Sequence, residues 1–67
     1  MIKVIVNGKP LEVKKETTIA DLLSHYKISP KVCAVERNGE ILERNEYLRI
    51  MVKEKDIIEI IRMMGGG

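Results

Sequence analysis

The first apolar positions of the chain, Ile2, Val4 and Val6, alternate with Lys3, Ile5 and Asn7, and this period of two predicts a half-buried strand. Asn7-Gly8 follows at once, a pair that accepts the positive φ angles of a type I′ turn. The return segment, residues 9–14, puts Leu11 and Val13 on one face and reads as the second strand of a hairpin. Pro10 has no amide donor, which confines that second strand to a sheet edge.

The period then changes. Ile19, Leu22, Leu23 and Tyr26 recur at helical spacing and predict a short amphipathic helix. Thr18 is placed to cap its first turn, with Asp21 completing an approximate capping box at the positive end of the helix dipole. Pro30 blocks continuation, so the helix ends before Ser29. Residues 32–37 read as a third strand, and Asn38-Gly39 is a second hairpin signal leading into a short fourth strand at Glu40, Ile41 and Leu42. Residues 45–52 carry Tyr47, Leu48, Ile50, Met51 and Val52 in no clean period, which predicts an irregular or single-turn connection that packs locally. After the polar turn Lys53-Glu54-Lys55-Asp56, the residues Ile57, Ile58, Ile60 and Ile61 surround Glu59. So continuous an apolar strand is expected at the centre of the sheet, covered on at least part of both faces.

Hairpin, helix, hairpin and central strand in that order predict an α+β chain of the β-grasp (ubiquitin-like) type, a mixed sheet of about five strands packed on one main helix. Placing the last strand beside the first leaves the Pro10 strand at the edge, as its chemistry demands. No repeat or second core is visible, so residues 1–64 read as a single domain and residues 65–67 as a flexible glycine tail.

Composition narrows the function. A chain of 67 residues is too short for a two-domain enzyme, and its 45% hydrophobic and 33% charged residues have a globular balance. Sixteen of the hydrophobic residues are Ile or Val and none is Phe or Trp, so the core is aliphatic and sheet-rich. A ligand cavity of a few hundred Å³ would consume such a core, which argues against a hidden small-molecule site. The formal charge of +2 is far from the concentrated basic field that binds nucleic acid. No apolar run approaches membrane-spanning length and no signal-like stretch follows Lys3, so no membrane association and a cytoplasmic location are expected. A single cysteine, Cys33, cannot build a disulfide framework, which points the same way.

Few residues invite catalysis. Cys33 lies within Val32-Cys33-Ala34-Val35 with no histidine near it in sequence and reads as a buried structural thiol. His25, the only histidine, falls outside the apolar helix face and gives neither a metal cluster nor a triad. The eight glutamates are scattered, with no pair suited to acid/base work, and read as surface solvation.

The end of the chain is different. Arg62-Met63-Met64 is followed directly by Gly65-Gly66-Gly67. Glycines lose the most entropy on ordering, so this end is expected to be mobile. A backbone without Cβ atoms can thread a slot closed to other residues and present the Gly67 carboxylate unobstructed. A flexible linker remnant is the plain alternative, but here the glycines terminate a strand with no spacer.

Over essentially its whole length the sequence resembles the bacterial and archaeal ThiS family, the small sulfur carriers of thiamine biosynthesis. The similarity is carried by the opening strand with Asn7-Gly8, Thr18-Ile19-Ala20-Asp21-Leu22-Leu23, Val35-Glu36-Arg37-Asn38-Gly39-Glu40-Ile41, and Asp56-Ile57-Ile58-Glu59-Ile60-Ile61 leading to Gly65-Gly66-Gly67. Members often have glycine before the Asp that opens the last strand, where this chain has Lys55. The resemblance implies a protein cosubstrate and not an enzyme. A ubiquitin-activating-type (ThiF-like) adenylyltransferase would use ATP and magnesium to adenylate Gly67, and the carrier itself would bind no cofactor and no metal. Sulfur from a cysteine desulfurase or other persulfide donor would then give a thiocarboxylate, which a ThiG-like thiazole synthase consumes. Gly65, Gly66, Met63 and Met64 would contact these partners, although the two methionines could equally finish the core. The small subunit of molybdopterin synthase (MoaD-type) is the nearest alternative; a noncovalent ubiquitin-like module and a conjugating modifier are others.

Overall fold

Both Asn-Gly pairs turn the chain as their chemistry requires. In the computed structural model, which describes residues 1–63, Asn7 and Gly8 have φ of 51° and 82°, and Asn38 and Gly39 have 52° and 88°. These are the left-handed angles of two-residue hairpins. The first turn joins β1 (Ile2–Val6) to β2 (Lys9–Val13), and the second joins β3 (Cys33–Arg37) to β4 (Glu40–Ile41). Between the hairpins lies α1 (Ile19–His25), and the last strand is β5 (Ile57–Arg62).

The five strands are ordered β2-β1-β5-β3-β4. β1 and β5 run parallel and the other neighbours antiparallel, so the sheet is mixed, with β5 at its centre and the Pro10 strand at its edge. One face carries Val4, Val6, Cys33, Val35, Ile58 and Ile60, all buried against Ile19, Leu22 and Leu23 of α1. That is the expected α+β, β-grasp arrangement.

The helix is shorter than Pro30 alone would dictate. Thr18 and Asp21 form the full capping box at its start. At its end Lys27 takes φ of 58°, its N–H donating to the Ser24 carbonyl while Ile28 N–H reaches that of Leu23. This paired closure stops the helix before the proline acts. Tyr26, assigned to the apolar face by spacing, is therefore the cap residue and is exposed. Pro30 instead opens a 3₁₀ turn, Pro30–Val32, which takes Val32 out of the predicted third strand.

Two other expectations need correction. Residues 47–52 do not merely pack locally. Tyr47 and Val52 are core residues, and the segment is tied to the start of α1 by Ala20 N–H to the Tyr47 carbonyl at 2.9 Å and Val52 N–H to the Thr17 carbonyl at 2.9 Å. The central strand is covered on one face only: Ile57 and Ile61 remain 50% and 46% exposed, because the single helix lies on the other side.

The turn before β5 places Lys55 in a backbone conformation that suits glycine better. Lys55 sits at φ of 71°, a left-handed angle that costs a residue with a Cβ about 1–2 kcal/mol. Glycine removes that cost but adds chain entropy to the unfolded state. Lys55→Gly is therefore expected to stabilise the protein by about 0.5–1 kcal/mol, read as a higher urea midpoint with an unchanged slope.

Candidate functional site

The chemistry singled out in the sequence lies just past β5, so the site is built from whatever fixes that end of the strand. On one side β3 pairs with β5 as far as Cys33↔Arg62, and the Met63 N–H then donates to the Val32 carbonyl at 2.7 Å. On the other side β1 pairs only as far as Val6↔Ile58, because the chain turns at Asn7-Gly8. The Asn7 side chain takes over there, its Oδ1 accepting the Ile60 N–H at 2.7 Å. Ile58 and Ile60 anchor the strand from beneath, with their side chains in the core. Sliding β5 by one residue would turn these isoleucines to solvent, so its register is fixed.

The beginning of β5 is locked by Asp56, which is 5% exposed. Its carboxylate accepts from Lys53 N–H at 2.7 Å, Arg37 Nε at 2.8 Å and Asn38 Nδ2 at 3.0 Å. Asn38 also accepts the Ile57 N–H through Oδ1 at 2.9 Å, joining the β3–β4 turn to the start of β5. Burial pushes the Asp56 carboxyl pKa up, but the hydrogen bonds from Lys53, Asn38 and Arg37, with the Arg37 charge, outweigh it and hold the group below its ordinary value. This lock was not legible as such: Asp56 looked like a turn residue, and its partners lie far from it in sequence.

The sequence candidates fall in different places. Met63 is 44% exposed at the exit of β5, so its side chain does not complete the core. Met64, Gly65, Gly66 and Gly67 lie outside the described residues. His25 is exposed at the end of α1, edge-on to the Tyr26 ring with centroids 4.8 Å apart. Among the described residues no group of three His, Cys, Asp or Glu side chains could hold a metal ion, and no helix is long and apolar enough to cross a membrane. The outer sheet face carries Ile5, Ile41, Ile57 and Ile61 exposed around Glu36 and Glu59. The period-two pattern could have shown this, since Ile5 and Ile57 alternate with the buried Val4 and Ile58.

Cys33 is fully buried on the inner face. Burial raises its thiol pKa, and the charges of Arg44 and Arg62 only partly oppose this, so the reactive thiolate is suppressed. Labelling of Cys33 by a thiol reagent is therefore expected to be slow in the native protein and to accelerate on unfolding. Cys33→Ala is expected to leave the fold intact at a stability cost of about 1 kcal/mol. A native labelling rate equal to the unfolded one would contradict this placement.

The ThiS family model matches residues 4–67 of the chain. The sulfur carrier protein ThiS of Bacillus subtilis is 43% identical over 63 residues, covering 92% of this chain and 96% of that protein. A thiazole synthase of Magnetococcus marinus is 35% identical over 66 residues, which is 98% of this chain but 20% of that enzyme. In structure, the chain resembles the crystal structure of the thiamine biosynthesis protein ThiS from Geobacter metallireducens. The TM-score is 0.83 at 38% identity, with 98% of this chain and 100% of that one covered.

Proposed function

The chain belongs to the ThiS family, the sulfur carriers of thiamine biosynthesis, and on that premise we propose that it carries sulfur on the main-chain carboxylate of Gly67. It is a small carrier and not an enzyme. Residues 1–64 serve as the recognition domain and residues 65–67 as the reactive tail. The feature that supports this most is the position of the tail: Gly65-Gly66-Gly67 follow, after two methionines, the central strand of the sheet, whose register is fixed from both sides and from the core.

A carboxylate is a poor electrophile, so it must first be activated. A ThiF-like adenylyltransferase joins the Gly67 carboxylate to the α-phosphorus of ATP, and magnesium pyrophosphate leaves. The sulfur of a desulfurase persulfide then attacks the acyl carbon, and AMP departs with the electron pair of the broken C–O bond. A second thiol reduces the resulting acyl disulfide and releases the thiocarboxylate, a softer nucleophile than the oxygen acid. Thiazole synthase is its recipient, a role supported by thiazole synthases that contain a region similar to this chain. ATP and magnesium belong to the partner enzyme; the carrier has no cofactor of its own and works in the cytoplasm, where ATP is available. Met63, Met64, Gly65 and Gly66 line the path into the partners, the methionines adapting to more than one surface.

The adenylation step is tested by ATP–pyrophosphate exchange with a ThiF-like enzyme. Exchange that depends on the added chain and falls on loss of Gly67 is expected, and the absence of any exchange above that of the enzyme alone would favour a noncovalent module. Binding to thiazole synthase in preference to the large subunit of molybdopterin synthase separates the thiamine role from its MoaD-like relative.

A further inference from the structure

Hydrogen bonding along β5 alternates between its two neighbours. Asp56 and Ile58 offer their carbonyls toward β1, to Ile5 N–H and Asn7 N–H, and Ile60 N–H points the same way to Asn7 Oδ1. Ile57 and Met63 bond toward the β3 side, to Asn38 and Val32. Backbone groups of one strand residue point to one side, so the Ile60 carbonyl and both backbone groups of Arg62 face the side that β1 has left. Among the described residues no strand pairs with β5 there beyond Ile58.

The open edge runs beside a depression of about 360 Å³ lined by Val6, Asn7, Lys9, Tyr26, Ile28 and Ile60. It opens on the inner side of the sheet, between the β1–β2 turn and the end of α1. Lys9 lies on its rim and Arg62 at the end of the edge, both exposed.

We propose that the edge at Ile60–Arg62 is a docking strand for an extended, acidic segment of thiazole synthase, which adds to the sheet beside β5 and places one apolar side chain in the depression. The open main-chain groups call for an extended backbone, and the alternation of a strand puts every second side chain over the depression. Lys9 and Arg62 select acidic neighbours and disfavour a second copy of this chain, which would pair edge to edge with Arg62 against Arg62. Because the tail follows the same strand in sequence, a partner held here sits beside the strand that carries Gly67. The choice of thiazole synthase as occupant rests on the carrier reading above; the open edge does not.

The test uses the full 67-residue chain made by chemical synthesis, joined at Val32–Cys33, with and without an N-methyl group at Arg62. Methylation removes the outward donor and blocks strand addition without touching the bonds to β3. Affinity for purified thiazole synthase is expected to fall at least about tenfold while the unfolding midpoint stays the same. Lys9→Glu, made by ordinary expression, is expected to weaken the same association severalfold. If the N-methyl chain unfolds at lower temperature, an amide-to-ester change at Arg62, which deletes the donor without adding bulk, decides the matter. Unchanged affinity in a stably folded Arg62 variant overturns the docking strand, as does failure of the unmodified chain to bind thiazole synthase. Sulfur loading, followed by intact mass on the same samples, reports on the carrier reading separately: a chain that loads sulfur but binds equally well with and without the methyl group retains the carrier role and loses the docking strand.

Discussion

Appending a tryptophan after Gly67 is expected to abolish sulfur loading, by at least about a hundredfold, and to leave the folded domain unchanged. The added residue converts the Gly67 carboxylate into an amide and moves the free acid one residue on, roughly 3.5 Å further along an extended chain. Displacements of about 1 Å can already cost about a hundredfold in a well-oriented reaction. The indole is also too bulky for any slot shaped to a glycine backbone. Deleting Gly67 acts in the opposite sense, leaving the acid about one residue short. Among the described residues the core on β5 ends at Ile60, well before either change. Mass analysis of the loading reaction and thermal unfolding of the same samples check the two halves of this expectation. Loading at the wild-type rate with tryptophan in place would contradict it.

The largest expected effect on stability comes from Asp56→Ala. It deprives the Lys53 N–H, the Arg37 guanidinium and the Asn38 amide of a shared acceptor. A buried donor without a partner costs about 1–3 kcal/mol, and a broken buried ion pair about 3–5 kcal/mol. Arg37 is partly exposed and can turn to water, so a loss of about 3 kcal/mol is expected, enough to threaten a domain of this size. Asp56→Asn retains an acceptor oxygen and should cost less. The same carboxylate predicts a pH dependence. Its pKa lies below the ordinary 3.8 in the folded protein, so near and below that value the unfolded state binds more protons and stability rises with pH. The contribution is complete above about pH 5 and disappears as pH falls through 3.8 and then through the folded value. Urea unfolding between pH 2 and pH 7 is expected to show this acid loss in the wild type and a smaller one in Asp56→Asn. Parallel curves would assign the acid sensitivity to other carboxylates.

What could be read in the sequence was local chemistry with a single outcome. Asn-Gly demands a tight hairpin, Pro10 demands an edge, Thr18 with Asp21 demands a helix start, and each is found where expected. The glycine tail is a reading of the sequence alone, since residues 64–67 lie outside the described residues. What could not be read was chosen by distant partners. Asp56 is an unremarkable turn residue until Arg37 and Asn38 arrive from the other hairpin, and Tyr47 and Val52 carry no periodicity because they fill the core from a loop tied to the helix start. Asn7 shows both cases: its backbone role follows from the dipeptide, whereas its side-chain bond to Ile60 requires β5 to lie alongside. The isoleucines of β5 suggested cover on both faces, yet with one helix for one sheet half of them stay exposed.

After incubation with ATP, magnesium, cysteine, a desulfurase and the ThiF-like adenylyltransferase, the intact protein should gain the mass difference between sulfur and oxygen. Fragmentation of that species should place the sulfur on the C-terminal glycine and leave Cys33 unmodified. Sulfur found on Cys33, or an unchanged mass with a demonstrably active adenylyltransferase, would contradict the account.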